Sequence, residues 1–200
     1  MSNVAAMKAA YHHADLRNAL IDEAISVLSE SGISGLTLRE LARRIGVTHT
    51  APYAHFADKR ALLEGVAEVG FARLAETLAR AKARGASPED ALITMGVAYV
   101  EFAREQPALY RLMFVAPELD VDDCEMSPEG EHAFSVLVDA ISALGPSLSA
   151  PPEDLAVTTW ALVHGIAMLE IDGRTKAKTA HTAAELITLA THVLMRGLRS

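Results

Sequence analysis

The chain is poor in several things that would make other readings available. Its 200 residues include one cysteine, one tryptophan and 5% aromatics. A lone cysteine, Cys124, excludes an internal disulfide and fits a reducing cytoplasm. Positive charge is scarce as well, with Lys+Arg 18 against Asp+Glu 26 and a net charge of −8, which on its face argues against nucleic acid. The start, Met1-Ser2-Asn3-Val4-Ala5-Ala6, lacks the charged-then-apolar pattern of a signal peptide. The longest uncharged stretch, Leu155 to Leu169, falls short of the roughly 20 residues that span a bilayer, so no membrane is expected. No glycine-rich phosphate loop, GxSxG or HExxH occurs, so nothing argues for an enzyme or a cofactor. What is present is apolar: half of the residues are hydrophobic, enough for a sizeable core in one or two small domains.

Helical spacing dominates, with no sustained period-two alternation. Leu16, Ala19, Leu20, Ala24, Val27 and Leu28 outline a first helix of about 16 residues, ended by Ser31-Gly32. Thr37 followed three residues later by Glu40 is a capping box that opens a short helix to about Ile45, stopped by Gly46. Thr48 or Thr50 can cap another short helix carrying Tyr53. Asp58 caps a long one from Lys59 to about Ala83. Ser87-Pro88-Glu89 starts a helix to Glu105, and Pro107 opens a short one through Phe114. Three more follow at about 129–144, 152–171 and 178–198. The fold class is all-α: a three-helix head at 1–62, joined by a long helix to a helical domain at 63–200.

Two short helices across Gly46-Val47, braced by a longer one, form a helix-turn-helix. Its polar residues suggest DNA. Arg39 and Arg43 share a face with Arg44 beside them, Lys59-Arg60 opens the next helix, and Thr48, His49, Thr50, Tyr53 and His55 can donate to phosphates or base edges. A solvated charged face is the blander alternative.

The run Gly35-Leu-Thr-Leu-Arg-Glu-Leu-Ala-Arg-Arg-Ile-Gly-Val, then Ala51-Pro-Tyr-Ala-His-Phe-Ala-Asp-Lys-Arg-Ala-Leu-Leu, resembles the tetracycline-repressor (TetR) family of transcriptional regulators over residues 14 to 66. The resemblance implies a DNA-binding head, a linking helix and a divergent domain for effector binding and dimerisation. By matched position, Arg39, His49, Thr50, Tyr53, His55 and Lys59 are implied DNA contacts, and Thr48 joins them from the residue reading. Two departures stand out. Pro52 replaces the family's leucine, so the recognition helix should start late or be partly 3₁₀. Residues 48–56 also contain no Arg, Lys, Asn or Gln, the side chains that make bidentate base contacts. Readout is then expected from Thr50 and Ala51 against thymine methyls, His49 against a purine, and Arg39.

In the C-terminal part, Leu155, Thr159, Leu162, Ile166 and Leu169 fall on one stripe, with Val157, Trp160, His164, Met168 and Ile171 opposite. One stripe suits a partner subunit and the other an internal cavity. With Leu186, Leu189, Ala190, Val193 and Leu194 in the last helix, a homodimer through the last two helices is expected. Trp160, His164 and Gly165 resemble a Trp…His-Gly C-terminal domain of one TetR subgroup. Met95, Tyr99, Phe102, Met113, Phe114, Phe134, Trp160, His164 and Met168 are candidate effector contacts, with plain core packing as the alternative. Metal leads are weak. His181, Glu185 and His192 share a face without zinc spacing, Glu118 to Glu125 lacks a calcium-loop pattern, and Tyr11-His12-His13 reads as a polar arm before the first helix.

The expected protein is therefore a cytoplasmic, homodimeric repressor that binds double-stranded operator DNA and a small effector. A ligand-independent DNA-binding dimer and a helical small-molecule-binding protein with a degenerate head are the rivals. The acidity does not oppose this, because residues 8–62 hold seven cations (Lys8, Arg17, Arg39, Arg43, Arg44, Lys59, Arg60) against six carboxylates. Few local cations mean few phosphate contacts, so binding to duplex DNA should weaken with salt along a shallow slope for a dimer. A steep slope in a salt titration would implicate the residues before Asp15.

Overall fold

The computed structural model describes residues 2–115 and 127–198, and within them every regular element is helical. The elements are α1 (Ser2–Gly35), α2 (Leu38–Ile45), a 3₁₀ turn (Ala51–Ala54), α3 (Lys59–Lys82), α4 (Pro88–Glu105), α5 (Pro107–Val115), α6 (Pro128–Ser142), α7 (Pro152–Ile171) and α8 (Ala183–Leu198). The acidic loop with Cys124 lies outside the described residues. The chain forms two compact units, one of residues 1–68 and 111–124, the other of 69–110 and 125–200. It passes between them within α3 and again within α5.

In the first unit, α1 starts far earlier than Leu16 and takes in Tyr11-His12-His13, which the sequence reading placed before the helix. Ala5, Ala6, Ala9, Ala10 and Ala14 explain this, since alanine is the strongest helix former and nothing here breaks the helix. Gly32 kinks the far end with a left-handed φ of 68°. Leu36 then enters the core with Leu20, Ile21, Ala24, Val27 and Leu28 of α1 and Leu38, Leu41 and Ala42 of α2. Thr37 caps α2 by accepting from the Glu40 N–H at 3.1 Å. The Glu40 carboxylate forms ion pairs with Arg43 and Arg44. Gly46 ends α2 at φ 73°, a conformation that excludes most side chains.

Three cations tie the elements of this unit to α1. Arg44 reaches Glu23 at 3.2 Å and Glu30 at 2.8 Å on α1 while also holding Glu40 at 2.9 Å. Arg17 lies 5.4 Å above the buried Phe56 ring just after the 3₁₀ turn. Gly65 makes room for that stack, because a Cβ there would come within 3.1 Å of the ring and 3.3 Å of the guanidinium. Lys59, opening α3, donates to the Ile33 carbonyl beside the kink.

In the second unit α4 packs on α6, α7 and α8, and α7 packs on α6 and α8. Ser87-Pro88 and Ser127-Pro128 open α4 and α6, each serine accepting from the backbone three residues on, both at 3.1 Å. Thr94 of α4 lies 3.1 Å from the Ala81 carbonyl at the end of α3, which also accepts from the Arg84 N–H, so one hydroxyl links the two helices. Gly96 lets α8 approach closely, since a Cβ there would lie 2.7 Å from Ile187. α8 starts at Ala183, later than expected, because Thr182 and Glu185 form a capping box while 175–179 close a separate turn. α7 is long and apolar enough to cross a membrane by length and composition alone.

The Arg44 cluster has a pH signature. Hydrogen bonds from Arg43 and Arg44 hold Glu40 from the ordinary 4.5 down to about 2, and Arg44 with Ser26 lowers Glu30. For carboxylates with depressed folded values, the stability they add is complete above about 4.5 and disappears as pH falls toward 2. An acid titration followed by circular dichroism should show the head losing stability across that window. Arg44→Met should flatten the loss and lower the melting temperature at neutral pH by a few degrees. An unchanged profile would remove the cluster from the head's stability.

Candidate nucleic-acid interface and effector site

The turn after α2 exposes Thr48, His49 and Thr50 together, with the two threonine hydroxyls 3.3 Å apart. Thr48 and Thr50 also set the backbone, since the Ala51 N–H donates to the Thr48 carbonyl and the Tyr53 N–H to that of Thr50. Pro52 is buried at the start of the 3₁₀ turn, consistent with the expected late, tight start. Its burial turns Tyr53 outward, and that ring is 56% exposed. His55 is half-buried and its backbone N–H donates to Pro52.

The cations divide into committed and presented groups. Arg39 is exposed on α2. Arg44 is spent on three carboxylates, and both hydrogen bonding and their charge raise its pKa further. Arg43 is bound fork-to-fork by Glu40 at 2.8 and 2.6 Å, and Arg60 pairs with Glu64 at 2.9 Å. Lys59, expected as a phosphate contact, is half-buried and directs one of its three donors inward to Ile33. The sequence reading did not anticipate this division. Partners 14 and 21 residues away in α1 leave no local trace.

In the second unit the predicted effector residues separate into core and cluster. Met95 and Phe102 are buried on α4, and Met168 is half-buried on α7. Met113 and Phe114 belong to the other unit, the former buried and the latter half-buried. Tyr99, Phe134, Trp160 and His164 come together with Tyr110, which the sequence reading missed. The Tyr99 and Tyr110 hydroxyls lie 3.0 and 2.8 Å from His164 Nδ1. Tyr110 donates to the Tyr99 oxygen at 3.0 Å, and the Trp160 N–H donates to the same oxygen at 3.1 Å. Phe134 meets the Trp160 ring edge-on at 6.2 Å. Burial pushes Tyr99 up to about 12, raises Tyr110 as well, and lowers His164, so all three are neutral at pH 7. The available signal for Tyr110 was a phenol on the same short helix as Leu109, Leu112 and Met113, where a buried hydroxyl needs a partner.

A contiguous apolar face remains open. Leu162 and Leu169 of α7 are 40% and 46% exposed, and Leu189 and Val193 of α8 are 55% and 65% exposed. Relative to the expected stripe, this face is turned by roughly 60° around α7. Leu155 is therefore buried and Val157 is exposed, the reverse of their expected sides. Beside the face, an open groove of about 640 Å³ runs between α7, the 174–179 turn and α8, walled by Ile166, Leu169, Lys178 and Leu186 among others. None of the predicted effector contacts lines it.

Comparison with known proteins follows the same two-part division. The family "Bacterial regulatory proteins, tetR family" matches residues 20–66, and "Tetracyclin repressor-like, C-terminal domain" matches 92–194. The class A tetracycline repressor of Escherichia coli transposon 1721 is 51% identical over 51 residues, covering 26% of this chain and 24% of that protein. The match thus spans about a quarter of that repressor's length. An uncharacterized HTH-type transcriptional regulator of Mycobacterium tuberculosis is 26% identical over 157 residues, 78% of this chain and 71% of the relative. Among solved structures, a Rhodococcus sp. RHA1 protein of unknown function has a TM-score of 0.76 at 31% identity, covering 92% of this chain and 96% of that one. A TetR-family transcriptional regulator from Pectobacterium atrosepticum has a TM-score of 0.73 at 24% identity, covering 94% and 96%, and supports the fold.

The cluster yields a further expectation. A histidine with a lowered folded pKa costs stability as pH falls below its unfolded value of about 6.5, because the unfolded chain takes up the proton first. Melting temperature should therefore decline from pH 7 downward, and His164→Gln should remove that part of the decline. Tyr110→Phe should cost about 1–2 kcal/mol by deleting a buried donor and shift the emission of Trp160, the sole tryptophan. Unchanged emission and stability would mean the hydroxyl has no part in the packing.

Proposed function

Because this chain belongs to the tetracycline-repressor family of transcriptional regulators, we propose that it is a homodimeric repressor released from operator DNA by a small, largely apolar effector. The observation that carries the DNA part is the turn between α2 and α3. There a buried Pro52 presents Thr48, His49, Thr50 and Tyr53 to solvent while Arg39 projects from α2. Short hydroxyls and methyls suit thymine edges, imidazole suits a purine, and Arg39 supplies the bidentate contact. Tyr53, His55 and the remaining donors of Lys59 position the phosphate backbone.

Dimerisation through α7 and α8 would cover the apolar face of Leu162, Leu169, Leu189 and Val193, which is costly to leave in water. A two-fold dimer places two reading heads about one turn of DNA apart, roughly 34–36 Å. The effector would bind at Tyr99, Trp160 and His164, where neutral polar groups sit among aromatic rings. α3 and α5 each run through both units, so rearrangement around the effector has a covalent route to the head. Operator affinity then falls by the effector's differential affinity for the two states. Such a protein acts in the cytoplasm and catalyses no reaction. The rival without an effector keeps the DNA and dimer parts and treats the aromatic cluster as core.

A mobility-shift assay on the promoter DNA flanking its own gene tests the reading, repeated with candidate metabolites while Trp160 emission is recorded. A shifted band that one compound abolishes, with a matching change in emission, is the expected outcome. A band that no compound affects would favour the ligand-independent rival. Arg39→Ala should relax sequence preference; equal weakening on every sequence would make Arg39 a phosphate contact instead.

A further inference from the structure

The exposed surface of α2 has two flanks on either side of its buried face. Leu38, Leu41 and Ala42 point into the core. Arg44 turns toward α1, where Glu23 and Glu30 hold it. Arg39 and Arg43, four residues apart, share the flank on the other side of the buried face. On that flank Arg43 is 70% exposed and its Nε–Nη2 edge is engaged, donating to the two Glu40 oxygens at 2.8 and 2.6 Å. This planar fork is the same one by which guanidinium binds a phosphate. Glu40 has a second partner, since its Oε1 also accepts from Arg44 Nε at 2.9 Å.

We propose that Glu40 stands in for a DNA phosphate and that Arg43 is a phosphate contact held in reserve. On DNA the Arg43 fork passes from the carboxylate to a backbone phosphate, while Arg44 keeps Glu40 paired. The exchange is cheap, because an exposed ion pair is worth little and the departing carboxylate is not left alone. For Arg44, with three carboxylates to give up, the same exchange is unfavourable, so the two adjacent arginines have different roles. In the free protein the carboxylate mutes the positive flank and limits attraction to nonspecific polyanions. Only a docked head brings a phosphate close enough to compete.

The inference rests on the DNA-binding reading, and one experiment separates the two. Affinity of the full chain for a fluorescein-labelled promoter duplex is measured by anisotropy across a salt series, for the wild type, Arg43→Ala, Arg43→Lys, Glu40→Gln and Arg43→Ala with Glu40→Gln. Arg43→Ala should lower the log–log salt slope by about one per head, while Arg43→Lys keeps the slope. Glu40→Gln should tighten binding several-fold, and most of that gain should vanish when Arg43 is alanine. An unchanged slope in Arg43→Ala overturns the proposal. So does an equal gain from Glu40→Gln with and without Arg43, which would reflect net charge alone. If Glu40→Gln loosens the fold, seen as a lower melting temperature, the two Arg43 variants still decide. Failure of the wild type to bind the duplex at low salt sinks the DNA-binding reading itself.

Discussion

Arg44 satisfies three carboxylates at once, and the orientation of α2 against α1 depends on it. Its five donors in a rigid fork allow it to reach Glu23 and Glu30 on α1 and Glu40 on α2 together. The apolar contacts of Leu38, Leu41 and Ala42 hold α2 to the core but are nondirectional and tolerate some rotation. The ion cluster removes that freedom and so fixes where Arg39 and Arg43 project. The other two elements are fastened to the same helix by the same kind of device. Arg17 stacks over Phe56 and Lys59 reaches Ile33, so α1 is the frame to which the α2 helix, the 3₁₀ turn and α3 are each tied by one cation.

That use of charge limits how DNA can be read. A head with seven cations between residues 8 and 62 commits three to its own architecture and pairs Arg43 and Arg60 within their own helices. Under the proposed DNA-binding mode, little positive charge remains for nonspecific attraction and recognition shifts toward fit. A 3₁₀ turn of four residues offers a groove fewer side chains than a full helix would, and a buried proline makes the turn rigid. Rigid placement of small groups suits van der Waals contact with thymine methyls better than long-range electrostatics.

Many of the helix ends were legible in the sequence because caps are local. Thr37, Gly46, Asp58 and Ser87-Pro88 set helix ends through neighbours three or four residues away, and a chain carries that information openly. The consequence of Pro52 was legible for the same reason. Division of labour among Arg39, Arg43 and Arg44 was not, since three similar residues in one helix differ only in what α1 brings beside them. The same limit applies to the second unit. Tyr99 and His164 could be picked as the polar members of their helices, but Tyr110 became relevant only once α5 reached them. The exposed face of α7 was legible as a stripe and misjudged in angle, because Leu155 at the helix start packs inward against neighbours the sequence does not display.

Burial around His164 constrains the chemistry of the second unit. The Tyr99 oxygen accepts from both Tyr110 and Trp160, which uses its two lone pairs. The Tyr99 and Tyr110 oxygens both lie within hydrogen-bonding distance of His164 Nδ1, at 3.0 and 2.8 Å, and the imidazole tautomer sets which of the two bonds forms. Burial disfavours the imidazolium and lowers the His164 pKa. The cluster is therefore held neutral by desolvation. A charged group approaching it would meet the same desolvation with only phenols, an indole and a neutral imidazole in compensation. An uncharged molecule that exchanges one of these hydrogen bonds for its own meets no such penalty.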